Sequence, residues 1–257
     1  MRLRLPKLKK REAVPMEVRA KHPLAIRWFH WINFPVLALM IWSGLMILWS
    51  NSVFTFAGRP ILSQEFLEHP LAWYDNLLGH LGRKPGDAPY TLSFRLAEGM
   101  WWHFAIAWLF GVNGALYAAY LLRSGEWRTL FPDRHSLKES IHVVLHDLHL
   151  SKRPLPRRKY NGAQRIAYTG VIVLGIGSLI TGIAIYKPMQ LSPLTQALGG
   201  YTAARFEHFW IMILFLGFFA VHVGQVLKTG WNNFRGMITG HELAPVESPL
   251  PEGEVAA

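Results

Sequence analysis

Four of the chain's twelve histidines stand in apolar surroundings: His30, His103, His208 and His222. An imidazole offers a lone pair to a metal, or takes and gives a proton near neutral pH. An ionisable side chain at membrane depth is costly and marks function by default. His208 and His222 are 14 residues apart. On a helix that is about 1400°, some 40° short of four turns, with about 21 Å of rise. One helix face therefore presents two imidazoles at two depths.

The elements that position them are read from charge. Residues 28–58, 99–122, 166–186 and 208–227 contain no Asp, Glu, Lys or Arg. These runs are 31, 24, 21 and 20 residues long, and about 20 apolar residues cross a bilayer. Four membrane helices are expected, at about 25–49, 99–122, 164–186 and 206–227. In lipid each must satisfy its own backbone, so helix is favoured over open strand. The fold class is all-α, an integral membrane four-helix bundle. Pro35 is expected to kink the first span, which reads as an uncleaved anchor. Basic residues crowd the segment before the first span and the loop between spans two and three, from Arg123 to Arg165. Both termini are thus expected on the cytoplasmic side. The formal charge of +11 is explained by topology and anionic lipid, with no nucleic acid as a partner.

The span directions then pair the histidines. His30 lies near the inner end of the first span and His103 near the outer start of the second. His208 is outer and His222 inner on the fourth. Depth pairs His103 with His208, and His30 with His222. Two imidazoles from facing helices suit the two axial positions of a haem iron. Zinc or copper is a rival, but structural zinc takes four ligands at one point. A proton relay is another, but the uncharged runs carry no carboxylate. The chain has no cysteine, which excludes disulfides, thiolate-held iron–sulfur clusters and covalent c-type haem. Gly111 and Gly114, with Gly170, Gly175, Gly177 and Gly182 of the third span, read either as helix-packing positions or as clearance for a flat macrocycle.

Several segments now resemble a known family. They are Arg-Trp-Phe-His-Trp at 27–31, Trp-Trp-His-Phe at 101–104, Tyr-Asn-Gly-Ala-Gln-Arg-Ile-Ala-Tyr at 160–168, and Glu-His-Phe-Trp through Val-His-Val at 207–223. Over roughly residues 20–240 the chain resembles the di-haem cytochrome b subunits of bacterial respiratory enzymes. These are of the nickel–iron hydrogenase, formate dehydrogenase and thiosulfate reductase type. The resemblance implies two noncovalent b-type haems, with the same histidine pairing as the depth argument. It also implies exchange of electrons with membrane quinone and a catalytic partner subunit outside the cytoplasm. Its thiosulfate-reductase-like members point to a molybdenum-dependent partner in the periplasm, with hydrogenase or formate dehydrogenase as alternatives. The implied location is the bacterial inner membrane. In the family the quinone pocket lies near the cytoplasmic haem. Candidates are His142, His146, Asn161, Gln164, Gln225 and Lys228. Arg27 and Arg205 are placed to pair with haem propionates, or simply to snorkel to the interface.

The remaining segments are read more coarsely. Ser136 with Glu139 suggests a capping box. Ile141, Val144, Leu145 and Leu148 follow at helical spacing, so a short amphipathic surface helix is expected. His142, His146 and His149 lie on one side of it, as a solvated face or, as the rival, a metal site. A second surface helix is expected around residues 64–78. Residues 1–22 form a basic cytoplasmic segment, 23–240 the membrane cytochrome domain, and 241–257 a disordered Pro-rich tail. The chain reads as an electron-transfer subunit with no catalytic residues of its own. The rivals are a stand-alone quinone reductase with a small oxidant at the outer haem, and a haem-free scaffold or transporter subunit.

Overall fold

The computed structural model describes residues 15–49, 53–56, 59–63, 96–154 and 160–246. In chain order the elements are β1 (Met16–Ala20), α1 (Leu24–Trp49), β2 (Val53–Phe56), β3 (Arg59–Ser63), α2 (Leu96–Ser124) and α3 (Trp127–Leu130). There follow α4 (Ser136–Asp147), α5 (Gly162–Tyr186), α6 (Ser192–Ala197), α7 (Tyr201–Thr229), α8 (Trp231–Thr239) and β4 (His241–Pro245). Among the described residues, α1, α2, α5 and α7 are long and apolar enough to cross a membrane. The surface helix expected at 64–78 lies outside the described residues.

Residues 29–222 form one compact unit, and in it neighbouring spans meet in a ring. On α1, Phe29 packs edge-on against Tyr117 of α2, centroids 5.5 Å apart. Phe110 of α2 reaches Gly175 of α5. Gly177 of α5 receives Ile211 of α7. Phe219 of α7 lies 6.5 Å from Phe34 of α1. Glycines let these apolar helices approach without a hydrophobic drive between them. A polar tie joins α1 and α2 inside: Asn113 Nδ2 on α2 donates to Asn33 Oδ1 on α1 at 2.9 Å, with Asn113 buried. Trp108, Val173 and Val221 are exposed, as apolar side chains turned to lipid would be.

The expected amphipathic helix is present as α4 and packs on the start of α5. Its capping differs from expectation. Ser136 is the first helical residue, not the cap. Asp133 organises the entry instead: its Oδ1 accepts from Ser136 Oγ at 2.9 Å and from His135 N at 3.0 Å. Its Oδ2 accepts from Arg165 Nη1 of α5 at 2.7 Å. A short polar side chain ahead of a helix takes such local bonds readily. The hydrogen bond from Ser136, with those from His135 and the Arg165 guanidinium, holds the Asp133 carboxyl at about 2, below its usual 3.8. A depressed carboxyl stabilises the fold fully above its unfolded value, and that contribution fades as pH falls from about 4 to about 2. The protection of α4 amides, measured against the intrinsic exchange rate at each pH, is therefore expected to fall across that window, and the added dependence to vanish in Asp133→Asn. Unchanged pH dependence in the variant would remove Asp133 as the anchor.

Residues 15–28 and 223–246 belong to a second compact unit. Here β1 and β4 pair antiparallel, with Met16 opposite Pro245 and Ala20 opposite His241. Residues 241–245, at the start of the segment expected to be a disordered tail, are instead strand, paired with residues 16–20. Gly240 makes the pairing possible. It ends α8 in the left-handed region, φ 87°, which glycine enters without a Cβ penalty. Its carbonyl accepts from Lys21 N at 2.8 Å. Lys21 Nζ bonds Glu242 and donates to Asn233 Oδ1, closing the unit with a buried-edge ion pair.

Candidate haem sites

Each level of the bundle brings together the two histidines that depth had paired. His103 of α2 faces His208 of α7, ring centroids 6.1 Å apart and planes at 74°. His30 of α1 faces His222 of α7, at 5.9 Å and 55°. Phe218, one turn before His222, stacks on its ring at 5.8 Å and 9°.

Whether these pairs suit an axially ligated iron can be tested from ring spacing. Bonds of about 2 Å from a metal to one nitrogen of each imidazole place the two ring centres about 6.3 Å apart. Both observed separations fall within a few tenths of an ångström of that. The arrangement does not suit a protein-only metal site. Among the described residues no three His, Cys, Asp or Glu side chains converge, and that includes His142, His146 and His149.

A macrocycle also needs clearance, and the glycines divide between the two roles expected of them. Gly111 packs on Leu179 and Gly175 on Phe110, at 3.7 and 3.6 Å from a built Cβ. Gly114 and Gly170 instead have nothing within 4 Å of that position. Gly114 follows His103 by 11 residues, and Gly170 precedes Thr181 by 11. That spacing is about 20° off the same face, so Gly114 shares a helix face with His103, and Gly170 with Thr181. The residues present fit two b-type haems.

A family model described as prokaryotic cytochrome b561 matches residues 21–240. The chain belongs to that family. It is a b-type cytochrome that crosses the bacterial inner membrane several times. This cytochrome is also similar to a relative from Azospira oryzae named "Putative protein-methionine-sulfoxide reductase subunit YedZ1". The two are 29% identical over 226 residues, covering 88% of this chain and 98% of the relative.

The other candidate residues of the cytochrome fall as follows. Arg27 donates through Nη1 to the carbonyl of Ile238 in its own unit, at the C-terminal end of α8. Arg205 lies over the Tyr201 ring, 5.7 Å from its centroid. His142, His146, Asn161 and Gln164 all lie on α4 and the start of α5. His142 Nε2 is 3.4 Å from the Pro154 carbonyl, and His146 Nδ1 is 3.9 Å from Asp147 Oδ1. Asn161 and Gln164 form a reciprocal capping box for α5: Gln164 N donates to Asn161 Oδ1 at 2.9 Å, and Asn161 N to Gln164 Oε1 at 3.0 Å. The capping box belongs here, not at Ser136. Gln225 and Lys228 are on the last turns of α7, in the other unit. Beside the capping box, Tyr160 stands edge-on to Tyr168 at 5.4 Å. Burial first, then the Glu126 charge and nearby phenols, push the Tyr160 hydroxyl up to about 12. It stays protonated across the physiological range and can donate a hydrogen bond.

Sequence reasoning missed Ser43 and Thr181. Ser43 Oγ meets His103 Nδ1 at 3.0 Å. Thr181 Oγ1 meets His208 Nδ1 at 2.8 Å. Both hydroxyl residues are buried. Serine and threonine are ordinary in membrane helices. The available signal was a hydroxyl residue directly before a glycine in each of two spans, Ser43-Gly44 and Thr181-Gly182.

Proposed function

We propose that this cytochrome carries electrons across the membrane through two b haems, His103 with His208 holding the outer one and His30 with His222 the inner. The observation that carries this reading is the spacing of two imidazole pairs at two levels, 6.1 and 5.9 Å. Each b haem, when bound, supplies a one-electron couple at its level. The chain's own residues hold the rings at ligating distance, leave room at Gly114 and Gly170, and surround the sites with apolar side chains that exclude water.

At the cytoplasmic side the exchanging molecule is a quinone. Oxidising a quinol to quinone releases two electrons and two protons, so groups able to take a proton must stand beside it. His142 and His146 suit that role. The amide NH2 groups of Asn161 and Gln164 are proposed to bind the quinone oxygens. Arg205 is proposed as a propionate partner. Both termini are proposed to be cytoplasmic.

At the opposite face the proposed partner is a periplasmic, molybdenum-dependent oxidoreductase. The name of the Azospira relative, a sulfoxide reductase subunit, supports a partner that consumes electrons, and so a flow from quinol outward. The full chain purified from haem-replete cells should show b-type α-band absorption on reduction and two haems per chain by pyridine haemochrome. A second, larger polypeptide should co-purify. A colourless preparation would end the reading, and one haem per chain would remove one level. His146→Ala is expected to slow quinol-driven haem reduction at least tenfold while leaving dithionite-reduced spectra unchanged, in the range usual for a lost general base. An unchanged quinol rate would take His146 out of the site.

A further inference from the structure

The outer imidazoles are gripped in matching ways by two helices that supply no ligand to that level. On α1, Ser43 Oγ donates to the carbonyl of Leu39 at 2.7 Å, with Met40 O at 3.2 Å. On α5, Thr181 Oγ1 donates to the carbonyl of Gly177 at 2.7 Å, with Ser178 O at 3.3 Å. A hydroxyl has one proton, and here it is committed to a carbonyl one turn back. The oxygen facing each ring must therefore accept. His103 and His208 are then both donors at Nδ1, which leaves the Nε2 lone pair of each for a metal.

The glycine after each hydroxyl completes the grip. A Cβ built on Gly44 would lie 3.4 Å from His103 Cε1, and one on Gly182 would lie 3.3 Å from His208 Cε1. Each ring is hydrogen-bonded at Nδ1 and backed at Cε1 by one two-residue step. Two unrelated helices, α1 and α5, do the same thing to two different histidines.

We infer that Ser43-Gly44 and Thr181-Gly182 are positioning residues that fix the tautomer and orientation of His103 and His208, and thereby set the reduction potential of the outer haem apart from that of the inner. This rests on the two-haem reading above. An acceptor on the far nitrogen of a ligating imidazole raises its basicity, and a more electron-rich ligand favours the oxidised metal. Removing the hydroxyls shifts the outer haem toward its reduced form.

The test uses the full chain in detergent or native membranes, with Thr181→Val, Ser43→Ala, the restoring variant Thr181→Ser, and the parent. Haem per chain, optical redox titration and the low-temperature EPR of the oxidised state are measured. The outer component is the one that His208→Ala removes. In Thr181→Val the reduced-to-oxidised ratio of that component at fixed ambient potential is expected to rise about tenfold, which is 59 mV for one electron. Its EPR signal is expected to move with the ring. Ser43→Ala gives the same sign, Thr181→Ser returns the parent value, and the inner component stays put. Loss of the outer haem in Thr181→Val with recovery in Thr181→Ser supports the inference equally. It is overturned if both components titrate as in the parent, if the inner shifts as much as the outer, or if Thr181→Ser fails to restore. A parent chain with no haem instead brings down the reading it rests on.

Discussion

His208→Ala is expected to halve the haem content, from two per chain to one, and to stop electron passage between the membrane faces. His222→Ala should do the same by removing the other haem. The argument is local. Each level has its own pair of imidazoles, and α7 gives one imidazole to each, about 21 Å apart along its axis. A noncovalent haem that would be held by two imidazoles would lose one of the two at that level. The pattern across four substitutions is stricter than any one of them. His103→Ala must abolish the same α-band component as His208→Ala, and His30→Ala the same one as His222→Ala. A crossed pattern, with His30 and His208 removing one component, would refute the pairing even if the total fell as expected.

Gly162→Ala is expected to be the most damaging small substitution away from the haem levels. A Cβ there would lie 2.4 Å from the carbonyl oxygen of Ser136 and 2.8 Å from Glu139 Cβ. The first of these is backbone, so no rotamer change relieves it. The start of α5 and the start of α4 would have to part, at the cost of Asp133–Arg165 and of Arg165 Nε donating to Phe131 O at 2.8 Å. Overpacking costs about 1–3 kcal/mol, and a backbone clash belongs at the upper end. Thermal unfolding followed by far-UV circular dichroism should show the loss, and α4 amides should exchange faster. The haem-band positions should not move, because both imidazole pairs lie on other segments. An unaltered melting profile would show that α4 and α5 separate at little cost.

The spans were legible because lipid permits little else: an uncharged run of twenty or more residues must be a helix. Their ends were less so. α7 begins at Tyr201, well before the uncharged run, because Arg205 and Glu207 fit a helix that continues past the apolar layer. Which histidine rings come near one another could be read from helix direction and depth. The grip on the rings could not. Ser43 and Thr181 announce themselves only when His103 and His208 are placed beside them, and a lone hydroxyl in a span usually just bonds its own helix. The capping box at Asn161 and Gln164 was open to sequence reading, as Asn-x-x-Gln ahead of an apolar run. The β1–β4 pair was not legible. Five-residue strands more than 220 residues apart leave no local trace, and the prolines after Ala244 suggested a chain with nothing to pair with.

That strand pair has an engineering consequence. Met16 sits opposite Pro245, and neighbouring strands run about 4.8 Å apart. A bridge of a few glycines and serines from residue 15 to residue 246 would therefore join the two without disturbing either strand. The chain could then be reopened between the first two spans. Such a circular permutant would exchange which face of the bilayer carries the free ends, while keeping every helix and both imidazole pairs where they are.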